Sequence, residues 1–178
     1  MSSKTRSLTL IAALSAANAA FRLALAGGPP NVKPTAFLVI VGGVVGGPIT
    51  GLVVGLLSIA LSDLLSFGAG VWTFYDSGFM AMVGLIAGLL WHHATTLNRW
   101  KMAVGGFLLT VVFDIGTSVT DATVFNYPWQ VAIAVLYVPF ISGSVSPYPF
   151  GLAHELTTAV LLAAIGPSLV SRIRKVYS

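Results

Sequence analysis

Six apolar runs account for most of the chain, at 8–26, 35–46, 49–65, 77–91, 102–123 and 150–170, and none alternates polar with apolar residues. Alternation with period two marks a strand with one wet face, so its absence over runs this long points to helices. Of 178 residues, 56% are hydrophobic and 8% charged, whereas a soluble domain carries about 25% charged residues. With a mean hydropathy of +0.92, the chain has too few polar groups to cover a surface in water. Its solvent is expected to be lipid, where backbone groups must be satisfied within helices or closed barrels. The expected fold is an all-α integral membrane protein, a single transmembrane domain over 1–178. It is a six-transmembrane-helix bundle with outer loops and a short extra helix near 128–142.

Proline and glycine punctuate the runs. Gly27-Gly28-Pro29-Pro30 ends the first, and Gly47-Pro48 separates the second from the third. Lys4 and Arg6 precede the first run as in a signal peptide, but no small-residue cleavage site precedes Arg22, so a retained helix is expected. Ala12, Ala16, Ala20 and Ala24 recur every fourth residue and share one helix face. Such a strip admits another backbone closely, either within the bundle or from a partner subunit. Gly43, Gly47, Gly51 and Gly55 make a second ladder of the same kind. No glycine loop leads from a strand into a Lys-Ser/Thr pair, so phosphate-loop ATP hydrolysis is not expected. Cysteine is absent, which excludes disulfides and thiolate metal sites. Net charge is +4, but its scattered basic residues do not form a nucleic-acid surface.

Six spans with a cytoplasmic N-terminus put Lys4, Arg6, Arg99, Lys101, Arg172, Arg174 and Lys175 inside, and only Arg22 and Lys33 outside. That asymmetry follows the positive-inside rule and predicts a multi-pass cell-membrane protein with both termini cytoplasmic. A further span at 128–142 would invert the C-terminal cluster. The same topology gathers Asp63, Asp76, Asp114, Asp121, His154 and Glu155 toward the outer leaflet. Ionisable residues within spans cost at least about 2.5 kcal/mol each, so they pair or line a cavity.

The expected site centres on the loop between Asp63 and Asp76, with 66–75 as a lid and the loops 27–34 and 125–149 closing beside it. Trp72, Tyr75, Tyr127 and Trp129 offer stacking area, or form an aromatic belt at the membrane surface. Arg22, Asn31, Lys33, Thr73, Asp76, Asp114, Asp121 and His154 offer hydrogen bonds to a bound molecule. Arg22 could instead neutralise Asp63 or Asp121, and Asp63 and Asp76 could cap helix ends, which suits the dipole at Asp76. Asp114 could bond within its own Thr117-Ser118 turn. His154 beside Glu155 is a weak metal signal because adjacent helical residues diverge, and no metal site is expected.

The Ala-xxx-Ala strip, Asn31-Val-Lys-Pro34, the Gly-rich helix pair and Gly70-Val-Trp-Thr-Phe-Tyr-Asp76 together resemble the substrate-binding S component of an energy-coupling factor vitamin transporter. Phe113-Asp114-Ile-Gly-Thr and Pro149-Phe150-Gly-Leu-Ala-His154 resemble that family's fifth and sixth helices. The Asn-Val-Lys-Pro and Gly-x-Trp-Thr pieces look most like the cobalamin-type members, although Leu64-Leu65-Ser66-Phe67 is less aromatic than is usual there. The resemblance implies that the chain binds a vitamin, cobalamin-like in the first instance, at the extracellular face. It also implies a transmembrane coupling subunit that meets Ala12, Ala16 and Ala20, two cytoplasmic ATPases, and no catalysis or covalent cofactor in this chain. Two rivals stand beside it: a membrane enzyme using Asp114, Asp121, His154 and Glu155, and an assembly subunit without a ligand.

Overall fold

A computed structural model describes residues 3–66, 68–138 and 148–177. Among them are eight helices and no strand: α1 (Ser3–Ala24), α2 (Thr35–Gly46), α3 (Pro48–Leu65), α4 (Val71–Trp91), α5 (Arg99–Val124), α6 (Trp129–Tyr137), α7 (Phe150–Ala164) and α8 (Gly166–Tyr177).

The shortest apolar run lies at the centre. Every residue of α2 from Thr35 to Val45 is buried, as expected of a helix apolar on all sides. It packs against α1, α3, α4, α5, α7 and α8. One residue, Gly47, joins α2 to α3 at φ +89°, a left-handed conformation that glycine adopts without cost. Pro48 then opens α3, where its missing N–H is no loss. The hairpin closes against α4 through facing glycines. A Cβ on Gly51 would collide with the carbonyl of Gly84, and one on Gly84 with the carbonyl of Gly51. Of the glycine ladder read from sequence, Gly43, Gly51 and Gly55 meet α4 in this way, whereas Gly47 is the turn.

The surface is apolar as well as the core. Ser58, Ser62, Thr110 and Thr158 are fully buried, while Leu8, Ile49, Phe74, Leu89, Val104 and Val160 are exposed. Four helices are long and apolar enough to cross a membrane: Lys4–Ala24, Pro48–Leu65, Val71–Trp91 and Arg99–Val124. The pair α7 and α8 makes a fifth if its bend of 61° is counted within one span. α2 has 12 residues, so at about 1.5 Å per residue it falls short of a core about 30 Å thick.

Three sequence expectations are corrected here. The lid 66–75 is not all loop: α4 begins at Val71, because Gly70 N–H donates to Thr73 Oγ1 at 3.1 Å and starts the first turn. The run 150–170 is not one helix, since Gly166-Pro167 interrupts it after Ile165; proline has no N–H to give and disfavours helix in the residue before it. The extra helix occupies only Trp129–Tyr137, and the remainder of the expected segment, from 139, lies outside the described residues. α8 is amphipathic: Leu169, Val170 and Ile173 face the core, and Ser171 and Arg172 face out.

Candidate binding site

The C-terminal ends of α1, α3 and α5 and the N-terminal ends of α2, α4 and α7 share one end of the bundle, where all five acidic residues lie. The first link is an ion pair. Arg22 Nη2 donates to Asp63 Oδ1 at 3.0 Å, and Thr73 Oγ1 donates to Asp63 Oδ2 at 2.8 Å. Both carboxylate oxygens of Asp63 are therefore engaged, and the residue ties α1, α3 and α4 together.

Asp121 forms the second link. Tyr75 donates its phenol to Oδ1, and Tyr127 donates to Oδ2 at 2.7 Å. Burial and the bond to Asp121 push the Tyr127 phenol up to about 12, so it remains a donor at neutral pH. Asn126, just before it, has φ +54°, a left-handed conformation that asparagine tolerates better than most residues. It turns the chain out of α5.

The third link is deeper. His154 Nδ1 lies 2.9 Å from Asp114 Oδ1 and 3.2 Å from Oδ2, with both residues buried. The imidazole and the carboxyl group thereby bridge α5 and α7. Phe113 stands edge-on to the imidazole at 5.7 Å between centroids. Next to it, Tyr137 donates to Glu155 Oε1 at 2.6 Å and joins α6 to α7.

The loop before α2 is fastened over this end. Asn31, at φ +60°, donates from Nδ2 to the Phe150 carbonyl at 3.3 Å. The Tyr148 hydroxyl donates to the Pro30 carbonyl at 2.6 Å. Burial first, and the charge of Arg22 second, lower the pKa of Lys33 against a smaller opposing pull from Asp63.

Two adjoining cavities result. The outer one, about 450 Å³, is lined by Trp72, Tyr75, Tyr127, Val131, Val135 and Phe150 among others. The inner one, about 220 Å³, is lined by Arg22, Lys33, Thr35, Phe113, Asp114 and His154 among others. Asn31, Asp76, Thr117, Ser118 and Leu136 border both. The outer volume lies within the range of about 300–1,000 Å³ that encloses drug-sized molecules.

Most residues singled out from sequence thus converge. Three do not line either cavity: Asp63 and Thr73 are bonded to each other behind the wall, and Trp129 is exposed at the start of α6. Thr35, Ser118, Leu136 and Phe150 were missed; Ser118 and Thr35 lie on helices whose polar positions gave the only available signal. Among the described residues no group of three or more His, Cys, Asp or Glu is placed to hold a metal ion. The acids named for the enzyme rival are dispersed, with Asp121 held by two phenols, Glu155 by Tyr137, and Asp114 by His154.

At the opposite end Arg174 closes the bundle. Its guanidinium donates to the carbonyls of Ala94 and Val44 at 2.9 Å, Trp91 at 3.1 Å and His92 at 2.7 Å. A cation at the C-terminal ends of α2 and α4 suits both helix dipoles.

Compared with known proteins, the chain matches no protein-family profile, no curated sequence and no solved structure.

Proposed function

We propose that the chain is a substrate-binding membrane subunit that captures a small organic micronutrient at the outer face, for import driven by a separate energy-coupling module. In this reading α1, α3, α4 and α5, with α7 and α8 together, are spans of an S component, and α2 is its short sixth helix, packed at their centre. The chain carries no catalysis of its own, and its termini lie in the cytoplasm. One observation carries the proposal: side chains from α1, the 25–34 loop, α4, α5, α6 and α7 converge on one bordered cavity with aromatic walls and an ionic floor. Pockets of this kind, apolar with a few placed polar groups, are where small molecules bind.

Partnership with a transmembrane coupling subunit and two ATPases is supported by the resemblance and by the outward face of α1. Ala12, Ala16 and Ala20 are all exposed, so the strip is open to a neighbouring helix. The test is cargo retention. Protein purified from its native membrane is expected to carry a bound small molecule by native mass spectrometry. The double variant Trp72→Ala, Asp76→Ala is expected to bind that molecule at least tenfold more weakly, equivalent to about 1.4 kcal/mol. Equal affinity in the variant would overturn the assignment of this cavity.

A further inference from the structure

The two cavities differ in chemistry, and the difference describes the cargo; this step rests on the binding reading above. In the outer chamber the phenols of Tyr75 and Tyr127 are both committed to Asp121. What these residues, Trp72 and Phe150 still offer is ring surface. Flat rings stack on such walls at centroid distances of about 4.5–7 Å.

The inner chamber is the smaller of the two and is lined by charged side chains, Arg22, Lys33, Asp76 and Asp114 among them. Lys33 is half-buried there beside Arg22. Arg22 has Asp63 as its counterion, but among the described residues Lys33 has no hydrogen bond or ion pair. The Thr35 hydroxyl borders the same chamber, is 3% exposed, and has no hydrogen-bond partner. A half-buried ammonium without an ion-pair partner and a buried hydroxyl without a hydrogen-bond partner are each costly. One acidic group placed between them would satisfy both.

Asp76 stands at the junction. It borders both chambers and makes no hydrogen bond or ion pair among the described residues. Its carboxyl oxygens are open to an N–H of the cargo. The Ser118 hydroxyl, also at the junction, makes no hydrogen bond among the described residues.

We infer that the cargo is a compact, flat heteroaromatic compound with an N–H-donating or cationic nitrogen and an acidic group. Its ring lies in the outer chamber, its nitrogen at Asp76, and its carboxylate or phosphate at Lys33 and Thr35. A corrin with its appended nucleotide is far larger than the molecules that pockets of this volume enclose. The inferred cargo is therefore smaller than the cobalamin-type one that the sequence resemblance implies.

The experiment is release of the bound molecule from full-length protein purified out of its native membrane, followed by mass and ultraviolet spectra. A small aromatic acid containing nitrogen is the expected result. The released compound is then titrated into emptied wild type, Lys33→Met, Lys33→Arg and Asp76→Asn, alongside its esterified or dephosphorylated form. Lys33→Met is expected to weaken binding of the acid at least tenfold and to bind the neutral form as wild type does, with Lys33→Arg restoring most of the loss. Asp76→Asn is expected to weaken both forms alike. Unchanged elution and helical content in the variants separate these effects from misfolding. A corrin, a neutral apolar cargo, or equal loss of both forms in Lys33→Met overturns this inference while leaving the binding subunit intact. A protein that carries nothing overturns both.

Discussion

At the residue scale the fate of each ionisable group depends on who else is within reach. Arg22 and Asp63 are a partly buried pair whose side chains are 23% and 5% exposed. Removing one partner strands the other, which for a buried pair costs about 3–5 kcal/mol; the exposure of Arg22 puts the expected loss at the lower end. Arg22→Met is therefore expected to lower the midpoint of denaturant unfolding in detergent, and Arg22→Met with Asp63→Leu to recover most of the loss. A double variant as weak as the single would show that the pair is not acting as a pair. This pairing was one of two alternatives legible in the sequence, since Arg22 had both Asp63 and Asp121 as candidates on topology alone. What sequence could not supply was that Asp121 is already held by Tyr75 and Tyr127, residues 46 and 6 positions away. The choice of partner is a matter of tertiary packing.

At the scale of elements the same division recurs. The helices were legible because apolar runs between Gly-Pro breaks have few other options in lipid. Ends were harder. The aromatic stretch at Val71 to Asp76 reads as a loop by composition, yet the bond from the Gly70 N–H to the Thr73 hydroxyl caps a helix that begins there. Gly166-Pro167 lies within an apolar run, and its effect on the helix comes from proline's missing donor and not from hydropathy. Glycine spacing foretold close packing on α3, but not that α4 answers with Gly84 and Gly88 at the contact. Gly84→Val is expected to destabilise the bundle by about 1–3 kcal/mol or more, because backbone and not a flexible side chain stands in the way. Loss of cooperative unfolding monitored by tryptophan fluorescence would report it. Arg174→Met, which frees carbonyls on α2 and α4, is expected to cost about 1–3 kcal/mol and to leave cargo affinity unaltered, since it lies at the far end from the cavities.

For the whole molecule the lopsided charge pattern predicts an orientation that labelling can test. The lack of native cysteine makes labelling direct. Gly28→Cys is expected to react with an impermeant maleimide on intact cells, and Ser171→Cys only after permeabilisation; the reverse would place the cavities on the cytoplasmic side. The exposed apolar belt is expected to hold the protein in membranes through an alkaline carbonate wash.

The central helix also decides how anything could pass. α2 begins at Thr35, in the floor of the inner chamber, and near its other end the Val44 carbonyl is gripped by Arg174. Between them its residues are packed on every side. The compartment thus has a riveted back wall: α2 closes it on the side away from its mouth, and the Arg174 bonds fasten the far end of that wall.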